Sequence, residues 1–209
     1  MTQLLEDVKL SEWKVGPQQR NIHGGYFWPI NVNTTQLHPR IQLVDAKEQL
    51  RIPFAPGNKF NDGGRKSLDY SLDREYIIDF FDRVDDFVLE HVWKNVNDFF
   101  KKAPETFEIL KQCYSPLISR KDSYEPLSKT KVNDGALVFV IEDRTEKVTQ
   151  KSDIFAITPN STGCPVITVD KIWMLGGGSR FGVTLLTSAL LLTLKKKKTT
   201  QDIFFGALF

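Results

Sequence analysis

The sequence has 209 residues, of which 41% are hydrophobic and 26% are charged. This length suits one sizeable domain and excludes a large multidomain protein, while the composition excludes a chain too polar to fold. The formal net charge of only +2 gives no chain-wide attraction for phosphate. Any binding of nucleic acid must therefore depend on where the charges lie.

The sequence lacks the patterns of secreted, membrane and metal-binding proteins. Its two cysteines, Cys113 and Cys164, have no CxxC spacing and are expected to be reduced thiols, with no metal site. Acidic residues stand near Met1 where a signal peptide is basic, so secretion is not expected. The apolar stretch 183–194 falls short of the roughly 20 residues of a membrane span and predicts a buried strand.

Hydrophobic periodicity predicts strands at both ends of the chain. β-Branched and aromatic residues predict two strands within residues 23–44, and alternation in SLDYSL predicts another at 67–72. The polar stretch 115–131, with two prolines, predicts a surface connection. Further strands are predicted at 135–143, 153–158, 164–175 and 181–194, the last two joined by a hairpin turn at the GGGSRFG segment.

Helices are predicted between these two groups of strands. Apolar residues recur every three or four positions and predict a long amphipathic helix over residues 74–102, with Asp73 as its N-cap. An uninterrupted helix of this length would measure about 44 Å. A second helix over residues 104–114 is expected to begin at Pro104 and to fold back on the first. The order of elements favours the α+β class, as a small closed antiparallel barrel with a helical insertion at 74–114.

No arrangement of residues predicts catalysis. The histidines His23, His38 and His91 have neither metal-ligand spacing nor a nucleophile elbow, and no cofactor motif is present. We therefore expect a protein that is not an enzyme, has no catalytic residues and binds neither cofactor nor metal.

Charge is unevenly distributed along the chain. Residues 69–90 contain eight acids and two arginines, a net of −6, so the rest of the chain carries +8. These acids are interpreted as the solvated face of an amphipathic helix rather than a carboxylate site. The predicted acidic face consists of Asp79, Asp82, Asp85, Asp86 and Glu90.

The basic part of the chain combines cations with aromatic residues. Single-stranded nucleic acid is bound by this combination, because cations neutralise phosphates while aromatic faces stack on bases. The alternative is that these aromatics, being in alternating strands, form the core. The candidate binding residues are Tyr26, Trp28, Phe54, Lys59, Phe60, Arg65, Lys66, Tyr70, Lys171, Trp173, Arg180 and Phe181.

The segment 195–209 begins with four consecutive lysines and contains several phenylalanines. Phe204, Phe205 and Phe209 are unfavourable in water, so this basic and aromatic tail is expected to contact a partner, including another copy of the chain in a homo-oligomer. The alternative is that this segment forms a last strand or helix that completes the core.

Three segments of the sequence resemble a family of small proteins of nucleocytoplasmic large DNA viruses. They are LRIPFAPGNKFNDGGRKSLDYSLD, YEPLSKTKV and KIWMLGGGSRFGVTLLTSALLL, and the likeness extends over residues 25–194. That family in turn distantly resembles the single-stranded DNA-binding proteins of short-tailed phages, which are barrels with a helical insertion.

The resemblance implies an OB-like antiparallel β-barrel over residues 23–194, after an N-terminal extension of residues 1–22. It implies sequence-tolerant binding of single-stranded DNA, or of RNA, in viral DNA replication and recombination, with viral replication proteins as partners and with the host nucleus or a cytoplasmic viral factory as location. The phage proteins carry an acidic tail, whereas this chain has only Asp202 after its lysines. The rival hypothesis is a structural or assembly protein of the virion that binds no nucleic acid.

Overall fold

The computed structural model describes residues 2–22, 25–33, 35, 37–45, 47–57, 66–141, 148–151, 157–175 and 178–193. These residues form a mixed α+β structure, mostly strands in one large unclosed sheet, with a helical segment inserted between two groups of strands. The predicted α+β class is therefore confirmed. Within the described residues, no helix is both long and apolar enough to span a membrane.

The elements follow the predicted order of strands, helices and strands. The first strands are β1 (Gln3–Leu4), β2 (Trp13–Val15), β3 (Gln19–Arg20), β4 (Tyr26–Val32), β5 (Arg40–Gln42), β6 (Leu50–Ile52) and β7 (Ser67–Ser71). The helices are α1 (Glu75–Lys94), α2 (Val96–Phe99) and α3 (Phe107–Cys113). The remaining strands are β8 (Tyr114–Ser115), β9 (Ile118–Lys121), β10 (Tyr124–Ile141), β11 (Val148–Lys151), β12 (Ser161–Leu175) and β13 (Arg180–Thr193).

A long antiparallel hairpin, β12–β13, forms the centre of the sheet. Leu175 pairs with Arg180 at its turn, as the sequence predicts. Gly178 has φ +111° in this turn, and a Cβ there would overlap the ring of Phe100, so glycine is required on both counts. On its other edge β12 pairs in succession with β6, β5 and β4.

The sheet is mainly antiparallel, but three pairs are parallel: β1 with β5, β8 with β13, and β10 with β13. Hydrogen-bonded pairing among the described strands follows the open order β1-β5-β12-β13-β10-β11 and does not form a ring. Arg51 of β6 links to the neighbouring strands through its side chain, donating to Ser71 Oγ at 3.3 Å and to Glu125 at 2.7 Å. The closed barrel expected from the sequence is thus not completed by backbone pairing in this part of the chain.

The predicted surface connection at 115–131 is wrong, because most of this segment belongs to β9 and β10. Ser128 and Thr130 face the core and are 1% and 0% exposed, while Lys129 and Lys131 alternate with them outside. The buried positions carry hydroxyl groups instead of apolar side chains, so the period-2 pattern is hidden in the composition. Thr130 Oγ1 compensates for its burial by hydrogen bonding with Thr187 Oγ1 at 2.7 Å.

The helical segment is shorter and more broken than predicted. α1 begins after Arg74, which occupies the N-cap position without a side-chain hydrogen bond, so the prediction of Asp73 as N-cap is wrong. The helix stops at Asn95, whose side-chain amide donates to His91 O at 2.8 Å. At the start of α3, Thr106 accepts from the backbone N–H of Ile109 at 3.3 Å, which fixes the start of this helix beyond Pro104.

The acidic face of α1 is also only partly as predicted. Asp79, Asp86 and Glu90 are exposed, but Asp85 is only 8% exposed and packs under the α3–β9 connection. The Tyr114 hydroxyl donates to Asp85 Oδ1 at 2.6 Å, and the backbone N–H of Leu117 donates to Oδ2 at 3.1 Å. Burial is the main cause that raises the pKa of Asp85 to about 6. Asp85 therefore anchors the helical segment to the sheet.

The apolar face of α1 covers one end of the sheet. Phe80, Phe81 and Val84 are fully buried, and Trp13 of β2 contacts the helix edge-on with 6.4 Å between the centroids of its ring and that of Phe80. His91 lies half-buried beside Phe99, with 5.9 Å between ring centroids, and its pKa is lowered by burial. These contacts orient the helices against β2 and β4.

Candidate nucleic-acid interface

The candidate site begins where β12 runs between β4 and β13. Trp173 of β12 pairs with Phe27 of β4 on one side and with Gly182 of β13 on the other. Side chains alternate along a strand, so these three residues share the outer side of the sheet. The neighbours Ile172 and Met174 point inward and are 0% and 6% exposed. Phe27 and Trp173 are half-buried, which leaves part of each ring open to solvent.

Gly182 makes room for the indole of Trp173. A Cβ at Gly182 would lie 2.9 Å from Cζ2 of Trp173 and 3.0 Å from the carbonyl oxygen of Ser115. Only a residue without a side chain allows the ring to lie this close over β13. The local sequence thus positions an aromatic ring against the sheet instead of letting it project freely.

Two cations flank the aromatic rings. Lys171 Nζ is 4.5 Å from the centroid of the Phe27 ring, a cation–π distance. Arg180 is exposed at the start of β13, and its Nε donates to Ser115 Oγ at 3.1 Å. Lys171 stands two residues before Trp173, and Arg180 stands two residues before Gly182, so each cation shares the face of the sheet of its reference residue. We call Phe27, Lys171, Trp173 and Arg180 the outer face.

The charge of Lys171 is partly balanced at the edge of the outer face. Asp170 Oδ2 lies 3.1 Å from Lys171 Nζ, and Asp170 Oδ1 lies 3.5 Å from His38 Nε2. His38 Nδ1 is 2.7 Å from the carbonyl oxygen of Ile30, which can only accept, so Nδ1 carries a proton and donates. This arrangement holds Lys171 beside the Phe27 ring with its ammonium group partly exposed.

Three of the predicted binding residues are buried instead. Trp28 stacks on Phe99 with ring centroids 4.2 Å apart, and Phe181 packs on Tyr114 at 5.1 Å. Tyr70 is 0% exposed, and its hydroxyl is 3.0 Å from Thr187 Oγ1. Because their faces contact protein, Trp28, Tyr70 and Phe181 have no surface on which a base can stack. We correct their assignment to core residues.

Three other predicted residues lie apart from the outer face. Tyr26 pairs with Met174 and so points to the opposite side from Phe27, with the Arg20 guanidinium 5.9 Å from its ring centroid. Phe54 is 55% exposed and lines a separate groove of about 430 Å³ with Tyr124. Lys66 is half-buried just before β7, where its carbonyl oxygen accepts from Val132 N.

The remaining predicted residues lie outside the described part of the chain. For binding these are Lys59, Phe60 and Arg65, and for partner contact they are Phe204, Phe205 and Phe209. Of the predicted set, the structure therefore brings together Lys171, Trp173 and Arg180.

Phe27 is the main residue that the candidate set omits. Its sequence signal is the aromatic run of β4, in which alternation places Phe27 and Trp28 on opposite sides. Alternation does not say which of the two faces outward. That choice follows from the pairing of Phe27 with Trp173, a contact between residues far apart in sequence.

The described residues contain no group of three or more His, Cys, Asp or Glu side chains that could hold a metal ion. The site's chemistry is that of half-exposed aromatic rings with a lysine and an arginine beside them. Such a face can stack on flat rings and neutralise anionic groups.

Comparison with known proteins gives structural matches only. No protein-family model matches the sequence. No curated protein matches it either. Among solved structures, the chain is similar to a single-stranded DNA-binding protein from bacteriophage Enc34 in complex with ssDNA, with a TM-score of 0.45 and 12% identity over 88% of this chain and 97% of that one. It is also similar to a C-terminal truncation of the Enc34 protein, with a TM-score of 0.44 and 13% identity over the same shares. At this level of similarity, no binding residue transfers from those proteins to this chain.

Proposed function

We propose that this chain is a non-enzymatic, sequence-tolerant single-stranded DNA-binding protein that binds through the outer face. The observation that carries the proposal is the cross-strand row of Phe27, Trp173 and Gly182, flanked by Lys171 and Arg180. In the same proposal, the unclosed sheet is a partly open form of the OB-like fold expected from the sequence.

The proposed contacts explain a preference for single strands. A base in a duplex is already stacked and paired, whereas an unpaired base can stack on the rings of Phe27 and Trp173. Every base has a π-face, so stacking tolerates any sequence. Lys171 and Arg180 contact the phosphates, and the planar guanidinium of Arg180 can form two parallel hydrogen bonds to one phosphate.

The biological setting belongs to the proposal as well. The three sequence segments that resemble proteins of large DNA viruses support a role in viral DNA replication and recombination. Viral replication proteins are then the expected partners, and RNA is an alternative ligand for the same face, since stacking and phosphate contacts do not require deoxyribose.

Binding to poly-dT should weaken steeply with added salt and should be tighter than binding to a duplex of the same length. Each phosphate contact to a single strand contributes about −0.7 to the slope of log affinity against log salt concentration. Replacing both Lys171 and Arg180 with alanine should therefore reduce the slope by about 1.4. Fluorescence anisotropy with labelled strands at several salt concentrations measures both quantities. A flat salt response, or equal affinity for duplex, would count against the proposal.

Exposed leucines favour a second candidate function, a structural or assembly protein of the virion. Leu37, Leu137 and Leu175 are 63%, 42% and 58% exposed, and such side chains are common in protein contacts. This candidate predicts a discrete oligomer with no affinity for oligonucleotides. Native mass measured together with the anisotropy titration separates the two functions.

A further inference from the structure

A groove of about 680 Å³ lies on the same side of the sheet as the outer face. Arg40 of β5 pairs with Thr168 of β12, and Thr168 pairs with Leu186 of β13; all three line the groove. Lys171 pairs with Thr184, which is two residues from Leu186 along β13. Thr184 and Leu186 share one face of the strand, so the groove and the outer face lie on the same side of the sheet.

A register shift joins the two regions along β12. The pairing skips Asp170, so Thr168 and Lys171 face the same way although they are three residues apart. At this point His38 also lines the groove while its Nε2 lies 3.5 Å from Asp170. On the other side of Asp170, Lys171 Nζ lies 3.1 Å from Asp170 Oδ2. The boundary between the groove and the outer face therefore consists of polar side chains in contact.

The lining of the groove matches the chemistry of a nucleic-acid strand. Arg40 is exposed and can bind phosphate. Leu37 and Leu137, 63% and 42% exposed, offer apolar surface for bases. The hydroxyls of Thr168 and Ser188 lie 2.6 Å apart and add hydrogen-bonding groups to the lining of the groove.

Resting on the proposed function, we infer that the bound strand continues from Trp173 past Lys171 into this groove, where Arg40 binds a phosphate and Leu37 and Leu137 contact bases. From Trp173 to Thr168 the path along β12 is about 17 Å at ~3.3 Å per residue. A path of this length adds to the site contacts that a very short strand cannot reach.

The dependence of affinity on strand length tests this path. We compare anisotropy titrations with a dT strand of two nucleotides, too short to span this path, and with one of about twelve nucleotides, a length within the range bound by single OB folds. Arg40→Ala should weaken binding of the longer strand about tenfold and weaken binding of the shorter strand much less, since one charged hydrogen-bonding contact is lost. Leu37→Asp, which places a negative charge on an exposed position of the groove, should act in the same direction.

Arg83→Ala is the matched control, because Arg83 is exposed on α1 and its loss changes the net charge equally. It should keep the wild-type ratio of the two affinities. If Arg40→Ala and Leu37→Asp also keep that ratio while Trp173→Ala weakens binding, the path through the groove is wrong and the proposed function stands. If the wild-type protein binds neither strand, the proposed function itself fails, and a protein segment becomes the expected occupant of the groove.

Discussion

Replacing Trp173 with alanine is expected to weaken binding to single-stranded DNA by about ten- to a hundredfold, because base–aromatic stacking contributes roughly 1–3 kcal/mol per base. The indole lies over Gly182 and beside Phe27, so it is already ordered before DNA binds. A preordered ring loses little conformational freedom on binding. Phe27→Ala should have a smaller effect in the same direction. Anisotropy titration of a labelled poly-dT strand measures both variants.

Trp93→Ala provides the control for Trp173→Ala. Trp93 is 36% exposed on α1 and packs edge-on against Phe107, with 5.8 Å between ring centroids, so the same kind of side chain is removed from a different surface. Its affinity for poly-dT should match that of the wild-type protein. Equal losses in the two variants, or no loss in Trp173→Ala while its circular dichroism shows a folded protein, would contradict the placement of the site.

Replacing Asp85 with alanine should lower the free energy of unfolding by about 2–3 kcal/mol. The substitution leaves the Tyr114 hydroxyl and the Leu117 N–H buried without their acceptor. Asp86→Ala is the control, since Asp86 is the exposed neighbour on the same helix, and its effect should stay within about 0.5 kcal/mol. Urea unfolding of both variants measures the difference. Equal stability of the two variants would contradict the anchoring role of Asp85.

The same carboxyl predicts a pH dependence of stability. Its pKa is about 6 in the folded protein, above the ordinary aspartate value of 3.8, so the folded state binds the proton more tightly than the unfolded chain. The stability gained from this proton is present at low pH and is lost as the pH rises through about 4 to 6. Over this range the wild-type protein should lose about 1–3 kcal/mol relative to Asp85→Asn, which has no titrating group there. A difference that does not change with pH would show that Asp85 is ionised with an ordinary pKa.

Much of the fold follows from periodicity in the sequence. The strands β7, β12 and β13 and the hairpin between the last two occur where the alternation of residues 67–72 and 164–194 predicts them. The strand predicted at 153–158 lies mostly outside the described residues. Periodicity does not predict the strand within residues 115–131, because β10 buries Ser128 and Thr130, whose hydroxyls hide the pattern. The stop of the first helix at Asn95 depends on one local side-chain hydrogen bond, for which periodicity gives no signal.

The candidate site is less predictable than the fold. Composition indicates that aromatics and cations occur in the same strands, but only cross-strand pairing determines which of them share a face. Lys171, Trp173 and Arg180 come together with Phe27 because β12 lies between β4 and β13. Alternation within β4 and β13 sends Trp28 and Phe181 to the core instead. A prediction of the register would therefore be needed to separate binding residues from core residues.

Photo-cross-linking of the full chain to a poly-dT strand carrying 5-iodouracil, followed by mass spectrometry of the peptides, tests the location of the site most directly. Iodouracil reacts on irradiation with aromatic side chains in contact with it. We expect cross-links to Phe27 and Trp173, which should be lost when unlabelled poly-dT competes and when salt is raised. Cross-links confined to Trp93 and the helical segment, or cross-links absent altogether, would contradict binding on the outer face.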